Sequence, residues 1–219
     1  MFPLAVLHRS HYAGRLAQQT PKDRFGAYPR VSSYPAAGLA AGRRIRHSAI
    51  VWMNVIQTER LVLRQLELDD AEFILELLNE AAFLRFIGDK GVRTPDDARA
   101  YLRKGPMDSY RLNGFGLYAT CLLDGTPIGI CGLVRRDGLD DVDVGFAFLS
   151  RHRSKGYAVE SASAVLTHAT QVLRLRRIVA ITSPDNGGSI AVLEKIGLKF
   201  ERMIKLTEGG SELKLFGPA

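Results

Sequence analysis

Between the apolar run Val142–Leu149 (VDVGFAFL) and a stripe of apolar residues at helical spacing stands Arg151–Glu160, RHRSKGYAVE. Ala158, Ala162, Val165, Leu166, Ala169, Val172 and Leu173 make up the stripe, and Arg174, Arg176 and Arg177 supply cations where such a helix ends. The chain must therefore pass from strand to helix within these ten residues. The first turn of a helix leaves backbone N–H groups without intrahelical partners and carries partial positive charge. Gly156 lets the backbone approach a ligand with no Cβ in the way, and Arg153 and Lys155 add charge toward an anion. A pyrophosphate suits such an end. A glycine among cations also describes a turn with a solvated basic edge, so the flanking pattern has to decide.

That pattern is regular from Ile56 onward. Thr58–Leu66 (TERLVLRQL) alternates as a strand. Asp69-Asp70-Ala71-Glu72 then offers an N-cap acid with a glutamate three residues on, ahead of Phe73, Ile74, Leu77 and Leu78. Thr94-Pro95-Asp96-Asp97 repeats the start signal and predicts a second helix to about Lys104. Phe115–Leu123 and Ile128–Val134 are β-prone runs joined by the hairpin chemistry of Asp124-Gly125-Thr126-Pro127. Val142–Leu149 is a third strand after the acidic turn 137–141, and Ile178–Thr182 reads as a buried strand. Ser189–Ile196 is a short helix stopped by Gly197, and Leu198–Leu206 and Leu213–Phe216 are closing strands around Glu208-Gly209-Gly210. The order is β-α-α-β-β-β-α-β-α-β-β, an α/β (α+β) chain.

The net charge of +7 suggests a nucleic-acid partner until the chain is divided after Met53. Residues 1–53 hold eight cations and one acid, which leaves 22 basic and 22 acidic side chains in 54–219. The body is neutral, and the leader, rich in Gly, Pro, Ala, Ser and Arg without periodicity, is expected to be disordered. Three readings of it stay open. It is an upstream start preceding a true first residue at Met53, or a transit-like segment whose prolines and glycines interrupt any amphipathic helix. The third is a basic tail, against which stands the lack of aromatic residues interleaved with a dense basic run. No window approaches the ~18 apolar residues of a membrane span, so no membrane partner is expected. Cys121 and Cys131 lie in separate apolar runs with no C-x-x-C pairing, which points to neither a disulfide framework nor a metal site and to a reducing, cytoplasmic setting.

Three stretches, in order and each on the expected element, resemble the GNAT superfamily of N-acetyltransferases. Arg153-Ser154-Lys155-Gly156-Tyr157-Ala158 is similar to that superfamily's acetyl-CoA loop, R/Q-x-x-G-x-G/A. Asn186-Gly187-Gly188-Ser189 with Val192-Leu193-Glu194-Lys195-Ile196-Gly197-Leu198 is similar to N-x-x-S-x-x-x-L-E-K-x-G-F, Leu198 replacing the usual Phe. Thr58-Glu59-Arg60-Leu61-Val62-Leu63-Arg64 resembles the opening strand of the branch that includes the ribosomal-protein-alanine acetyltransferases. The resemblance spans about residues 56–216 and excludes the leader.

It implies a mixed, twisted, splayed central sheet with helices on both faces, admitting acetyl-CoA where the sheet parts. The implied cofactor contacts are Phe148 and Leu149 at the splayed strand end, Arg153 to Ala158 (Arg153, Ser154, Lys155, Gly156, Tyr157, Ala158), Asn186 and Lys195. It also implies direct attack of a neutral amine on a thioester, which asks for alignment, oxyanion stabilisation, proton removal and help for the departing thiolate. Ser189 is then the candidate general acid, and Asp143 the first candidate base. Glu160 is the second, although a carboxylate there also complements the helix dipole, and water is a third. His168, Cys121 and Cys131 read as structural. The expected acceptor is a primary amine, on a small molecule or a peptide or protein N-terminus. The alternative is a non-catalytic CoA-binding or regulatory module; the expected assembly is a monomer or homodimer.

The leader carries no apolar pattern to pack on the body. A chain beginning at Met53 should therefore melt within a degree or two of the full chain and bind acetyl-CoA equally at 0.15 M salt, where exposed charges are screened beyond ~8 Å. A melting temperature several degrees lower would show that the leader docks.

Overall fold

The computed structural model describes residues 54–219, so the expectation of disorder over 1–53 lies outside the described residues. The body opens with a hairpin, β1 (Asn54–Gln57) and β2 (Leu61–Gln65), where the sequence predicts one strand over Thr58–Leu66. The first three of those residues form the turn instead. The Thr58 N–H donates to the Leu61 carbonyl at 2.9 Å and the Leu61 N–H returns to the Thr58 hydroxyl at 3.0 Å. A threonine hydroxyl that bonds nearby backbone competes with the ladder and ends it.

Arg64, on β2, ties the sheet to the first helix. Its guanidinium holds the Asp70 carboxylate through two bonds of 2.7 and 2.8 Å, both residues buried. Asp70 stands at the N-cap position of α1 (Ala71–Leu78) without a side-chain capping bond, and α2 (Ala81–Phe86) follows at once, a helix the sequence pattern does not announce. α3 (Pro95–Leu102) starts on the predicted capping box, with the Thr94 hydroxyl accepting from the Asp97 N–H at 3.2 Å. It stops short of Lys104. Pro106 has no N–H to donate, so Arg103–Met107 widens into a π turn before α4 (Asp108–Asn113).

The remaining elements are β3 (Leu117–Leu122), β4 (Pro127–Val134), β5 (Val142–Phe148), α5 (Tyr157–Gln171), β6 (Ile178–Thr182), α6 (Gly187–Lys195), β7 (Leu198–Ile204) and β8 (Leu213–Pro218). The eight strands form one sheet in the order β1-β2-β3-β4-β5-β6-β8-β7, antiparallel except between β5 and β6. Alternation along β3 divides the core: Tyr118 and Leu122 meet Ala162, Val165 and Ala169 of α5, while Ala119 and Cys121 meet Ile74 and Leu77 of α1 and Ala98 and Leu102 of α3. Both faces of the sheet are thus covered around β3. Among the described residues no helix is long and apolar enough to cross a membrane.

The functional detail of this fold is a short pairing. β5 and β6 share two register positions, Val142↔Ile178 and Asp143↔Val179. Beyond them β6 runs on against β8 through Thr182, and β5 against β4 through Phe148. The sheet is split from Asp143 onward.

Candidate active site

The parting of β5 from β6 leaves a cavity of about 880 Å³. Its closed end is Asp143, with 1% of the residue exposed. The carboxylate accepts from Arg136 Nε at 2.5 Å and from the Ile181 N–H at 3.2 Å. That N–H belongs to the part of β6 that has lost β5 as a neighbour, so the side chain of the last paired residue takes the place of the missing strand. Burial pushes the Asp143 carboxyl up to about 6, against the downward pull of the Arg136 cation and the two hydrogen bonds.

The open end is the loop after β5. Ser154 and Gly156 both adopt left-handed backbone, with φ of 59° and 82°. The first α-helical bond of α5 runs from the Glu160 N–H to the Gly156 carbonyl at 3.0 Å, so the N–H groups of Tyr157, Ala158 and Val159 have no intrahelical acceptor, and all three residues line the cavity. The loop is held from outside by Arg60. Its Nη1 donates to the Lys155 carbonyl at 3.0 Å, its Nε to Glu160 Oε2 at 2.7 Å, and its guanidinium lies over the Tyr157 ring, 4.9 Å from the centroid.

Most of the residues expected from the sequence meet on this wall: Asp143, Phe148, Arg153, Ser154, Gly156 and Tyr157, with Ala158, Asn186, Ser189 and Lys195 completing it. Asn186 caps α6, its Oδ1 accepting from the Ser189 N–H at 3.1 Å. Lys195 is exposed in the last turn of that helix. Arg153 lines the cavity with part of its guanidinium engaged, Nε with the Phe148 carbonyl at 2.8 Å and Nη2 with Glu80 at 3.1 Å.

Three candidates do not reach the cavity wall. Glu160 turns outward to the β1–β2 turn, accepting from the Thr58 hydroxyl at 2.6 Å and the Arg60 N–H at 3.0 Å. Burial pushes its carboxyl up, but the bonds from Thr58 and Arg60 outweigh that and hold it below the usual range. A carboxylate so engaged and so placed positions the loop and takes no proton from an acceptor in the cavity. Leu149 is fully buried against α1 and α3, and Lys155 is exposed beside the wall. Cys121 and Cys131 are buried away from it, burial pushing the Cys131 thiol up to about 12.

Several wall residues carry no sequence signal. Arg136 lies just past β4 in a run of charges, Tyr101 sits on α3, and Phe83, Phe86, Ile87 and Lys90 come from α2 and the turn after it. Only the packing of α2 and α3 against the split sheet brings the residues of those helices to the cavity.

Residues 60–199 match the acetyltransferase (GNAT) domain family. YnaD of Bacillus subtilis, an uncharacterized N-acetyltransferase, is 30% identical over 151 residues, 68% of this chain and 85% of that protein. Among solved structures, a GNAT-family acetyltransferase from Bacillus anthracis matches with a TM-score of 0.62 at 26% identity, over 74% of this chain and 96% of that one. RimJ of Mycobacterium smegmatis, in complex with CoA-disulfide, has the same fold at a TM-score of 0.62 and 20% identity, over 72% of this chain and 80% of its own.

The clamp by Arg60 has a direct readout. Arg60→Ala should leave the melting temperature within a few degrees while the amides of residues 155–159 exchange hydrogen about tenfold faster. Unchanged exchange in the folded variant would show that the loop keeps its shape unaided.

Proposed function

The chain belongs to the GNAT acetyltransferase family, and on that premise we propose that it transfers the acetyl group of acetyl-CoA to a primary amine. The observation that carries this is the departure of β5 from β6 immediately after a buried carboxylate, with the N-terminus of α5 at the other end of the same strand. Asp143 and Phe148 are five residues apart, about 17 Å at ~3.4 Å per residue. An extended carrier with an anionic end and a reactive end needs such a separation.

The residues present fit acetyl-CoA. Left-handed Ser154 and Gly156 turn the backbone so that the N–H groups at the start of α5 border the cavity, and a phosphate is held by such groups without side-chain help. Lys195 and the unengaged part of Arg153 add charge. Asn186 Oδ1 is committed to capping, so its Nδ2 is the donor left for an amide carbonyl. Phe146 and Phe148 give the channel an apolar wall that keeps water out. Bound there, acetyl-CoA supplies an activated acyl carbon and a thiolate leaving group.

The chain's own residues then handle protons. Asp143, ionised above about pH 6, accepts the proton that the incoming amine must lose, and Arg136 holds the carboxylate in place. The Ser189 hydroxyl, on the cavity wall beside the start of α6, donates toward the sulfur. Glu160 has no part in this transfer. The acceptor is a small molecule or a peptide N-terminus in a cytoplasmic setting.

Two variants test the two ends. Gly156→Val forces a branched residue into backbone at φ 82°, where a Cβ also comes within 3.3 Å of Arg60 Nη2, and should weaken acetyl-CoA binding at least tenfold, ~1.4 kcal/mol. Unchanged affinity by calorimetry in a folded variant would remove the loop from the site. At the other end the carboxyl is the active base only when ionised, so kcat/KM should fall about tenfold per pH unit below about 6. Asp143→Asn should lose 10²–10⁴ in kcat, as expected for a general base, and flatten that acid limb. An acid limb that persists in Asp143→Asn assigns the proton transfer elsewhere. A folded protein that binds acetyl-CoA yet releases thiol with no amine would be a binding module without turnover.

A further inference from the structure

We infer that the Asp143 end of the cavity contains an anion subsite formed by Arg136, and that the acceptor is a free α-amino acid with an apolar side chain. This rests on the acetyl-transfer reading of the same cavity and goes beyond it in choosing among amines.

The argument begins with what Arg136 leaves unused. Its Nε is committed to Asp143, and among the described residues no hydrogen-bond acceptor faces its Nη1 or Nη2. The side chain is 34% exposed, and its two Nη groups stay open to a ligand from solvent. A Cβ placed on Gly145 would come within 4.0 Å of Arg136 Nη2, which puts that edge over Gly145 on the cavity wall. Planar, doubly donating Nη groups match a carboxylate in a way that a point charge does not.

The charges around it have one sign. Lys90 lines the same cavity without an acidic partner among the described residues, and Asp185, the other acid on the wall, is held by Arg85 at 2.9 Å. Asp143 is the acid left to face an amine. A polyamine would meet two cations for one carboxylate, whereas an amino acid presents its carboxylate to Arg136 and its amine to the adjacent Asp143. Nε and Nη belong to one rigid guanidinium, so the two subsites are as close as the two groups on one α-carbon. A peptide N-terminus offers an uncharged carbonyl at that position and gains one neutral hydrogen bond in place of a charge-assisted pair.

The chemistry of the side chain follows from α2. Phe83, Phe86 and Ile87 line the cavity from α2 and the turn after it, and Val134 lines it from β4. These surfaces take an aliphatic or aromatic group. The phosphate-binding end cannot claim this subsite, because it lies at the far end of β5, roughly 17 Å along the strand.

Equilibrium binding separates this from acetyl transfer itself. L-Leucine, L-methionine and L-phenylalanine, each beside its amide and its decarboxylated amine, are titrated calorimetrically into the protein alone and into the protein saturated with CoA. The amino acids should bind at least tenfold more tightly than either analogue. Arg136→Gln should bring that ratio close to one, whereas loss of support for Asp143 alone would weaken all three forms alike. Lys90→Ala, on an exposed side chain, should weaken the amino acids by a few-fold and leave the amines unchanged. Equal or tighter binding of the amides overturns the subsite, as does acetylation of peptides or polyamines with none of the free acids, and that second outcome leaves acetyl transfer standing. Preferential binding of the acids with no thiol released would uphold the subsite and remove the transfer.

Discussion

A parallel pair of strands that separates inside a folded domain leaves buried backbone N–H groups facing nothing, and each costs ~1–3 kcal/mol if it stays unpaired. Here the Asp143 carboxylate fills that role for Ile181, at the last register position β5 and β6 share. The carboxylate is itself expensive to bury, and Arg136 offsets part of that cost. What remains is visible as a carboxyl raised to about 6. The constraint that lets the sheet split is therefore the same group that ends up ionisable near neutrality in the resulting cavity. Structure and chemistry share one side chain.

The cations of RHRSKG have a different use from the one their charge suggests. Arg151 pairs with Glu76 of α1, and Arg153 reaches Glu80 and the Phe148 carbonyl. Glu80 in turn accepts from the Ser150 N–H at 3.0 Å. Arg60, from the distant β1–β2 turn, grips the other flank through the Lys155 carbonyl and Glu160. Exposed pairs of this kind contribute little to stability one by one, yet together they fix a loop with two residues in left-handed backbone. In the function proposed here, anion binding falls chiefly to backbone N–H groups that the staples hold in place, which cost no reorganisation when a ligand arrives.

The two ends of the cavity are consequently built on different principles. At the start of α5 the donors are main-chain groups whose direction follows from helix geometry. At Asp143 the groups are long side chains from separate elements, Arg136 after β4 and Tyr101 on α3, brought to one strand. In the proposed function the first arrangement accepts a common anionic carrier. The second is free to vary with the acceptor, because none of those side chains holds the sheet together apart from Arg136.

Local chemistry in the chain was enough to place the strand-to-helix junction at Gly156 and the capping box at Thr94, since each depends on neighbours within four residues. It was also enough to bring out the three stretches of family resemblance and the site residues on them. It misplaced the first strand, where a threonine hydroxyl closes a turn that alternation reads as extended, and it missed α2, too short for its period to show. Glu160 illustrates the limit most clearly. Its position in the first turn of α5 is legible, but whether its carboxylate faces the cavity or Arg60 depends on a turn one hundred residues away. The split of the sheet, the raised carboxyl of Asp143 and the placing of Arg136 beside it likewise arise from strand order and helix packing. Burial and long-range pairing set those properties, and neither is a property of local sequence.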